Sequence, residues 1–88
     1  MKIKHTFAVR EIAGDYILVP VGESALEFSG LITTNEVGAF IWKQLSEGME
    51  KTEVMERVVS EFDVDADTAR DDIDAFIQQL EQLNILDP

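Results

Sequence analysis

The sequence predicts an α+β domain of winged helix-turn-helix-like build, with three N-terminal antiparallel strands followed by three helices. Three observations carry that prediction. Eighty-eight residues, 45% of them apolar, give one modest core and so one domain over residues 1–88. The first third is rich in β-branched and aromatic residues set between turn-forming glycines. The remainder carries apolar residues at three- and four-residue spacing in three runs, two of them preceded by a capping residue.

The strands come first. "FAVREIA" and "YILVPV" flank Gly14-Asp15, a pair suited to a tight hairpin because glycine accepts positive φ. Ile12, Ile17, Val19 and Val21 fall on one face and Val9, Tyr16 and Leu18 on the other, so both faces are expected to be partly covered. Pro20 cannot donate to a ladder and belongs near a strand end or facing an edge. After the turn-like "VGES", the stretch "ALEFSGLIT" predicts a third strand over Ala25 to Thr33. Leu26 and Phe28 would share one of its faces, and Glu27 and Ser29 the other, with Gly30 at a bend or bulge.

Three helices follow. Asn35 N-caps the first, which carries Val37, Ile41 and Leu45 with Trp42 beside them, and Gly48 stops it. Trp42 reads as a core residue, not a ligand platform. The second runs from about Lys51 to Phe62, with Val54, Val58 and Phe62 on one face. The third starts near Asp65 and shows Ala69, Ile73, Phe76, Ile77, Leu80 and Leu83 as one stripe. Asn84 takes the left-handed position after it, so that Ile85 and Leu86 pack back.

Charge and composition narrow the function. Residues 1–34 carry three basic and four acidic groups; residues 35–88 carry four basic and fourteen acidic ones. A chain with net charge −11 repels a phosphate backbone, so nucleic acid is not an expected partner; a basic peptide or protein surface is the natural one, while plain solubility also accounts for the charge. There is no cysteine, which removes disulfides, thiolate metal sites and a thiol nucleophile. The opening "MKIKHTFAVREI" has no apolar signal-like region and no run reaches membrane-spanning length, so a cytoplasmic location without membrane contact is expected.

"FDVDADTARDDID", Phe62 to Asp74, holds six of the eighteen acidic residues, and its alternating Asp63, Asp65 and Asp67 imitate a calcium loop. Counted from Asp63, however, the sixth position is Thr68 where a glycine is needed, and the twelfth is Asp74 where a bidentate glutamate is needed. A helix start explains the stretch: Asp65 caps, and Asp67 and Asp71 sit where the helix dipole favours negative charge. No metal ligands, cofactor or catalytic residues are assigned. His5, the sole histidine, falls in a segment expected to be exposed, and the adjacent Asp71 and Asp72 diverge on a helix.

One arrangement spans nearly the whole chain, from about Phe7 to Leu86. "REIAGDYILVPVG" is followed by "EFSGLITTNEVGAFIWKQL" and then "DVDADTARDDIDAFIQQLEQLNIL". In this order and spacing, with the Asn35 helix start carrying Gly38, Ala39, Ile41, Trp42 and Leu45, the chain resembles the PqqD-like family, named after pyrroloquinoline quinone biosynthesis protein D. The resemblance implies a non-catalytic recognition element for ribosomally synthesised, post-translationally modified peptides. Such a domain binds the leader of a precursor peptide and presents it to a modifying enzyme, often of the radical S-adenosylmethionine type. No residue selects pyrroloquinoline quinone synthesis over another peptide pathway.

The resemblance further implies that the leader lies as an added strand beside the third strand, in a groove shared with the third helix. On the strand this singles out Leu26, Glu27, Phe28, Ser29 and Leu31. On the helix, one flank carries Ile73 and Ile77 with Arg70, Asp74 and Glu81; its isoleucines would offer apolar contact and its acids would meet basic leader side chains. The opposite flank, Asp72, Ala75, Gln79 and Gln82, remains open, as does plain core packing for Ile73 and Ile77. An exposed edge also allows an edge-paired dimer besides a monomer. From other classes, a protein–protein adaptor using the same edge stays available. A DNA-binding winged helix is opposed by Asp67, Asp71, Asp72, Asp74 and Glu81 against Arg70 alone, and a carrier protein by the missing Asp-Ser-Leu setting.

Overall fold

A computed structural model describes residues 2–28 and 30–87. The chain runs β1 (Lys2–Ile3), β2 (Phe7–Ile12), β3 (Asp15–Pro20), α1 (Ser24–Glu27), β4 (Ile32–Thr34), α2 (Glu36–Ser46), α3 (Lys51–Phe62), α4 (Ala66–Gln82) and β5 (Leu86–Asp87). It is an α+β fold with one three-stranded antiparallel sheet in the order β2-β3-β4. Phe7, Leu18 and Ile32 point from one face of the sheet into a core shared with Ile41, Trp42, Val54, Val58, Ile73, Phe76 and Leu80. Among the described residues no helix is long and apolar enough to cross a membrane.

The hairpin register pairs Ile12 with Asp15, so the turn is Ala13-Gly14, one residue earlier than the sequence reading placed it. Both turn residues have positive φ, 52° and 86°, the combination that matches the twist of the strands on either side. Glycine accepts this conformation without penalty, whereas Ala13 carries a Cβ into it. Leu18 is the one fully buried residue of β3, while Ile17 and Val19 on the other face are half-buried and Ile12 and Val21 are exposed, so cover on that second face is partial, as expected, and fades toward its ends.

The predicted third strand is corrected. Ser24 to Glu27 form a helical turn, closed by hydrogen bonds from Leu26 N–H to Glu23 C=O and from Phe28 N–H to Ser24 C=O. Leu26, Glu27, Phe28 and Ser29 alternate in polarity, which suggests a strand, but Ala, Leu and Glu of "SALE" are also strong helix formers. The tertiary tie decides: the buried Ser24 hydroxyl accepts from Thr6 N–H at 2.8 Å and fastens the turn to the start of β2. Leu26 and Phe28 therefore do not share a strand face. Pairing resumes only at Ile32, opposite Leu18.

The helices match their expected bounds closely. Asn35 caps α2 by accepting from Gly38 N–H at 2.8 Å, and Asp65 caps α4 by accepting from Thr68 N–H at 2.7 Å. The Thr68 donors hold the Asp65 carboxyl below its usual pKa. Asp63 takes the left-handed position that ends α3, and Asp67 pairs with Arg70 at 2.8 Å. All three alternating aspartates are thus occupied at helix ends. Trp42 is buried, edge-on to Phe7 at 5.5 Å, and its indole N–H donates to Phe7 C=O at 3.3 Å.

Two short strands had no sequence signal. β1 pairs antiparallel with β5, Ile3 opposite Leu86, and Lys4 reinforces the joint with a 2.7 Å backbone bond to Ile85 C=O and a 3.1 Å contact to Asp87. This draws the N-terminal segment down, so His5 is not exposed as expected: its side chain is 14% accessible and lies against Phe28.

The turn yields a stability prediction. Asparagine tolerates the left-handed region better than alanine, so Ala13→Asn is expected to stabilise the fold by about 0.5–1 kcal/mol. Urea denaturation should show a higher midpoint with an unchanged slope; a lower midpoint would contradict the assigned turn.

Candidate functional site

The sheet has an open edge at β4, and the ladder determines which of its backbone groups are free. In a two-residue hairpin the flanking pair, here Ile12 and Asp15, exchanges both backbone hydrogen bonds. Alternation then commits Ile17 and Val19 to β2, and turns the N–H and C=O of Tyr16 and Leu18 toward β4. Their partners are Thr34 and Ile32. Thr33, between them, therefore directs its N–H and C=O away from the sheet, and it is exposed. Pro20 is the next residue on that side of β3 and has no N–H to offer, which limits β4 to three residues.

Where β4 ends and α2 begins, a cleft of about 200 Å³ separates them from α4. Its apolar floor comes from Val37, Ile41 and Phe76, and its α4 rim from Asp72, Ala75 and Gln79. Gly38 makes this geometry possible. A Cβ there would overlap Thr34 Oγ1 and would lie 3.2 Å from Thr34 Cβ and 3.4 Å from Phe76 Cδ1. The strand, the two helices and the cleft meet at that one residue.

The structure sorts the helix residues singled out from sequence. Ile73 is fully buried and belongs to the core, and Ile77 is half-buried against it. Asp74 pairs with Lys51 at the start of α3, so the flank carrying Arg70, Asp74, Ile77 and Glu81 turns toward α3. The rim beside β4 is instead the flank of Asp72, Ala75 and Gln79. Of the strand residues, Leu31 lies immediately before the open edge and is 61% exposed. Leu26 and Glu27 sit on α1, where Leu26 is 89% exposed and Glu27 is 3.8 Å from His5 Nδ1. Phe28 packs edge-on to Phe7 at 5.3 Å. Ser29 lies outside the described residues. The sequence reading ended its edge strand at Thr33 but singled out neither Thr33 nor Thr34 as a peptide contact; the visible signal was the β-branched pair directly before the Asn35 cap.

Among the described residues no three His, Asp or Glu side chains come together as a metal site requires. What the arrangement offers chemically is shape and backbone pairing: a free strand edge, an apolar hollow beside it, and a polar rim.

Comparison with known proteins gives a family and a fold. The family described as Coenzyme PQQ synthesis protein D (PqqD) matches residues 15–86. A solved structure described as TbiB1 in complex with the TbiA(beta) leader peptide is similar at 24% sequence identity, over 99% of this chain and 95% of that one, with a TM-score of 0.73. No curated protein matches the chain.

The close approach at Gly38 can be tested directly. Glycine to alanine inside a helix ordinarily stabilises by about 1 kcal/mol, but here overpacking should reverse the sign and destabilise by about 1–3 kcal/mol. Shortening the obstructing side chain should relieve it, so Gly38→Ala combined with Thr34→Ala is expected to be at least as stable as Thr34→Ala alone. Equal costs for Gly38→Ala in both backgrounds would show that the two side chains do not meet.

Proposed function

The chain belongs to the PqqD family, and from that membership and the β4 cleft together we infer that it is a non-catalytic peptide-recognition domain. In this reading residues 1–88 act as one winged helix-turn-helix-like unit that holds the leader of a ribosomally made precursor peptide. The leader is presented to a modifying enzyme, for which radical S-adenosylmethionine chemistry is the family-based expectation. The working state is a cytoplasmic monomer whose edge is free for the peptide.

The observation that carries this reading is the outward Thr33 backbone beside an apolar hollow. An extended peptide adds a strand by pairing with such an edge, and alternate side chains enter a pocket that selects among them. A cleft of about 200 Å³ accepts one aliphatic or aromatic side chain. Asp72 and Gln79 on the rim favour a basic or hydrogen-bonding neighbour. The shared fold with TbiB1, described in complex with a leader peptide, supports the same use of this fold here. Ordering a disordered leader offsets part of the contact energy, so affinity of about micromolar, around −8 kcal/mol, is expected.

The test uses synthetic leaders of the short peptides found to be encoded near this chain's gene, and takes forward the one that binds. Ala75→Trp fills the cleft from the exposed rim and should weaken leader binding tenfold or more in calorimetric titration, with little change in thermal stability. Asp74→Asn, on the flank facing α3, should leave affinity within about twofold, as expected for loss of an exposed contact. Unchanged binding in Ala75→Trp together with loss in Asp74→Asn would move the site to the other flank of α4.

A further inference from the structure

We propose that the opposite edge of the sheet, β2, is a second strand-addition site, which takes an extended basic segment of a partner protein while the β4 cleft is occupied. The same alternation that frees Thr33 turns the backbone groups of Phe7, Val9 and Glu11 away from β3. The Trp42 indole takes the Phe7 carbonyl at 3.3 Å, a contact that requires this outward direction. Val9 and Glu11 lie further along the same edge, both exposed.

Beside that edge lies an open groove of about 360 Å³. Val9, Tyr16, Ala39, Phe40 and Phe62 line it, with Phe40 and Phe62 edge-on at 5.3 Å. Edge and groove repeat the two parts of the β4 site: free backbone groups next to an apolar hollow. α2 separates the two sites, with Val37, Gly38 and Ile41 on the cleft and Ala39, Phe40 and Lys43 on the groove. Both sites can therefore be filled together.

Charge selects the occupant. Glu36 and Glu61 border the groove against Lys43, and Glu11 stands opposite Tyr16 on β2. Partial burial and then the Glu11 and Glu36 carboxylates raise the Tyr16 phenol pKa, as negative charge gathered at this end of the sheet would do. A second copy would bring the same glutamates, and a net charge of −11, against themselves. A segment with an apolar side chain for the groove and lysine or arginine on either side meets no such opposition.

The probe is a blocked seven-residue peptide of alternating lysine and valine, titrated into the isotope-labelled full chain by NMR. Shifts are expected at Val9, Glu11, Phe40 and Phe62. Val9→Pro removes an outward N–H without removing a ladder bond, so the fold should persist while binding weakens tenfold or more. Glu61→Lys should weaken it severalfold. Shifts confined to β4 and α4, or unchanged affinity in both variants, would overturn the proposal. So would equal binding of a glutamate–valine peptide, or concentration-dependent self-pairing at Val9 without any peptide.

Discussion

The absence of a side chain at Gly38 is the constraint on which the rest of the structure depends. It lets the first turn of α2 settle between Thr34 and Phe76, closer than any Cβ would permit. That approach holds β4 against the helical layer and fixes the distance between the strand edge and α4. Buried apolar side chains, each contributing about 1.5–3 kcal/mol, then lock the arrangement from both sides: Ile32 and Leu18 from the sheet, Ile41, Ile73 and Phe76 from the helices. The cleft is what remains where two flanks diverge around a glycine.

A three-stranded sheet in a chain of this size necessarily has two edges, and an exposed edge is a hazard as well as a resource. Here one edge is only three residues long, cut short by Pro20, and the other has one carbonyl capped by Trp42. The acidic surface adds mutual repulsion between copies. These devices limit indiscriminate pairing while leaving Thr33 on one side and Val9 and Glu11 on the other able to pair with an extended partner. The helix ends use their acids locally, with Asp65 as a cap and Asp67 held by Arg70, which separates the charge that builds the fold from the charge that faces solvent.

The helices were legible because each states its period, and two of the three also state a cap just before it: Asn35 before Val37 and Ile41, Asp65 before Ala69 and Ile73. The hairpin was legible from Gly14, although the register was off by one because Ala13 hides the second left-handed position. The stretch from Ser24 to Glu27 was misread because the alternation that begins at Leu26 suggests a strand while Ala25, Leu26 and Glu27 also suit a helical turn, and the Thr6–Ser24 contact chooses between them. β1 and β5 have two residues each and pair across the length of the chain, so no periodicity announces them. The flank of α4 that borders the cleft was not legible either. A stripe such as Ala69, Ile73, Phe76 and Leu80 gives the buried direction, but which neighbour lies left or right of it depends on the path of α2 and α3.

The central claim is that Thr33 offers its backbone to an incoming strand. Its amide hydrogen exchange, followed by NMR with and without the leader peptide, tests this most directly. The account predicts fast exchange in the free chain and strong protection at Thr33 when the leader is bound, with the Thr34 and Ile32 amides little changed because β3 already pairs them. Saturating leader with Thr33 still exchanging freely would contradict it.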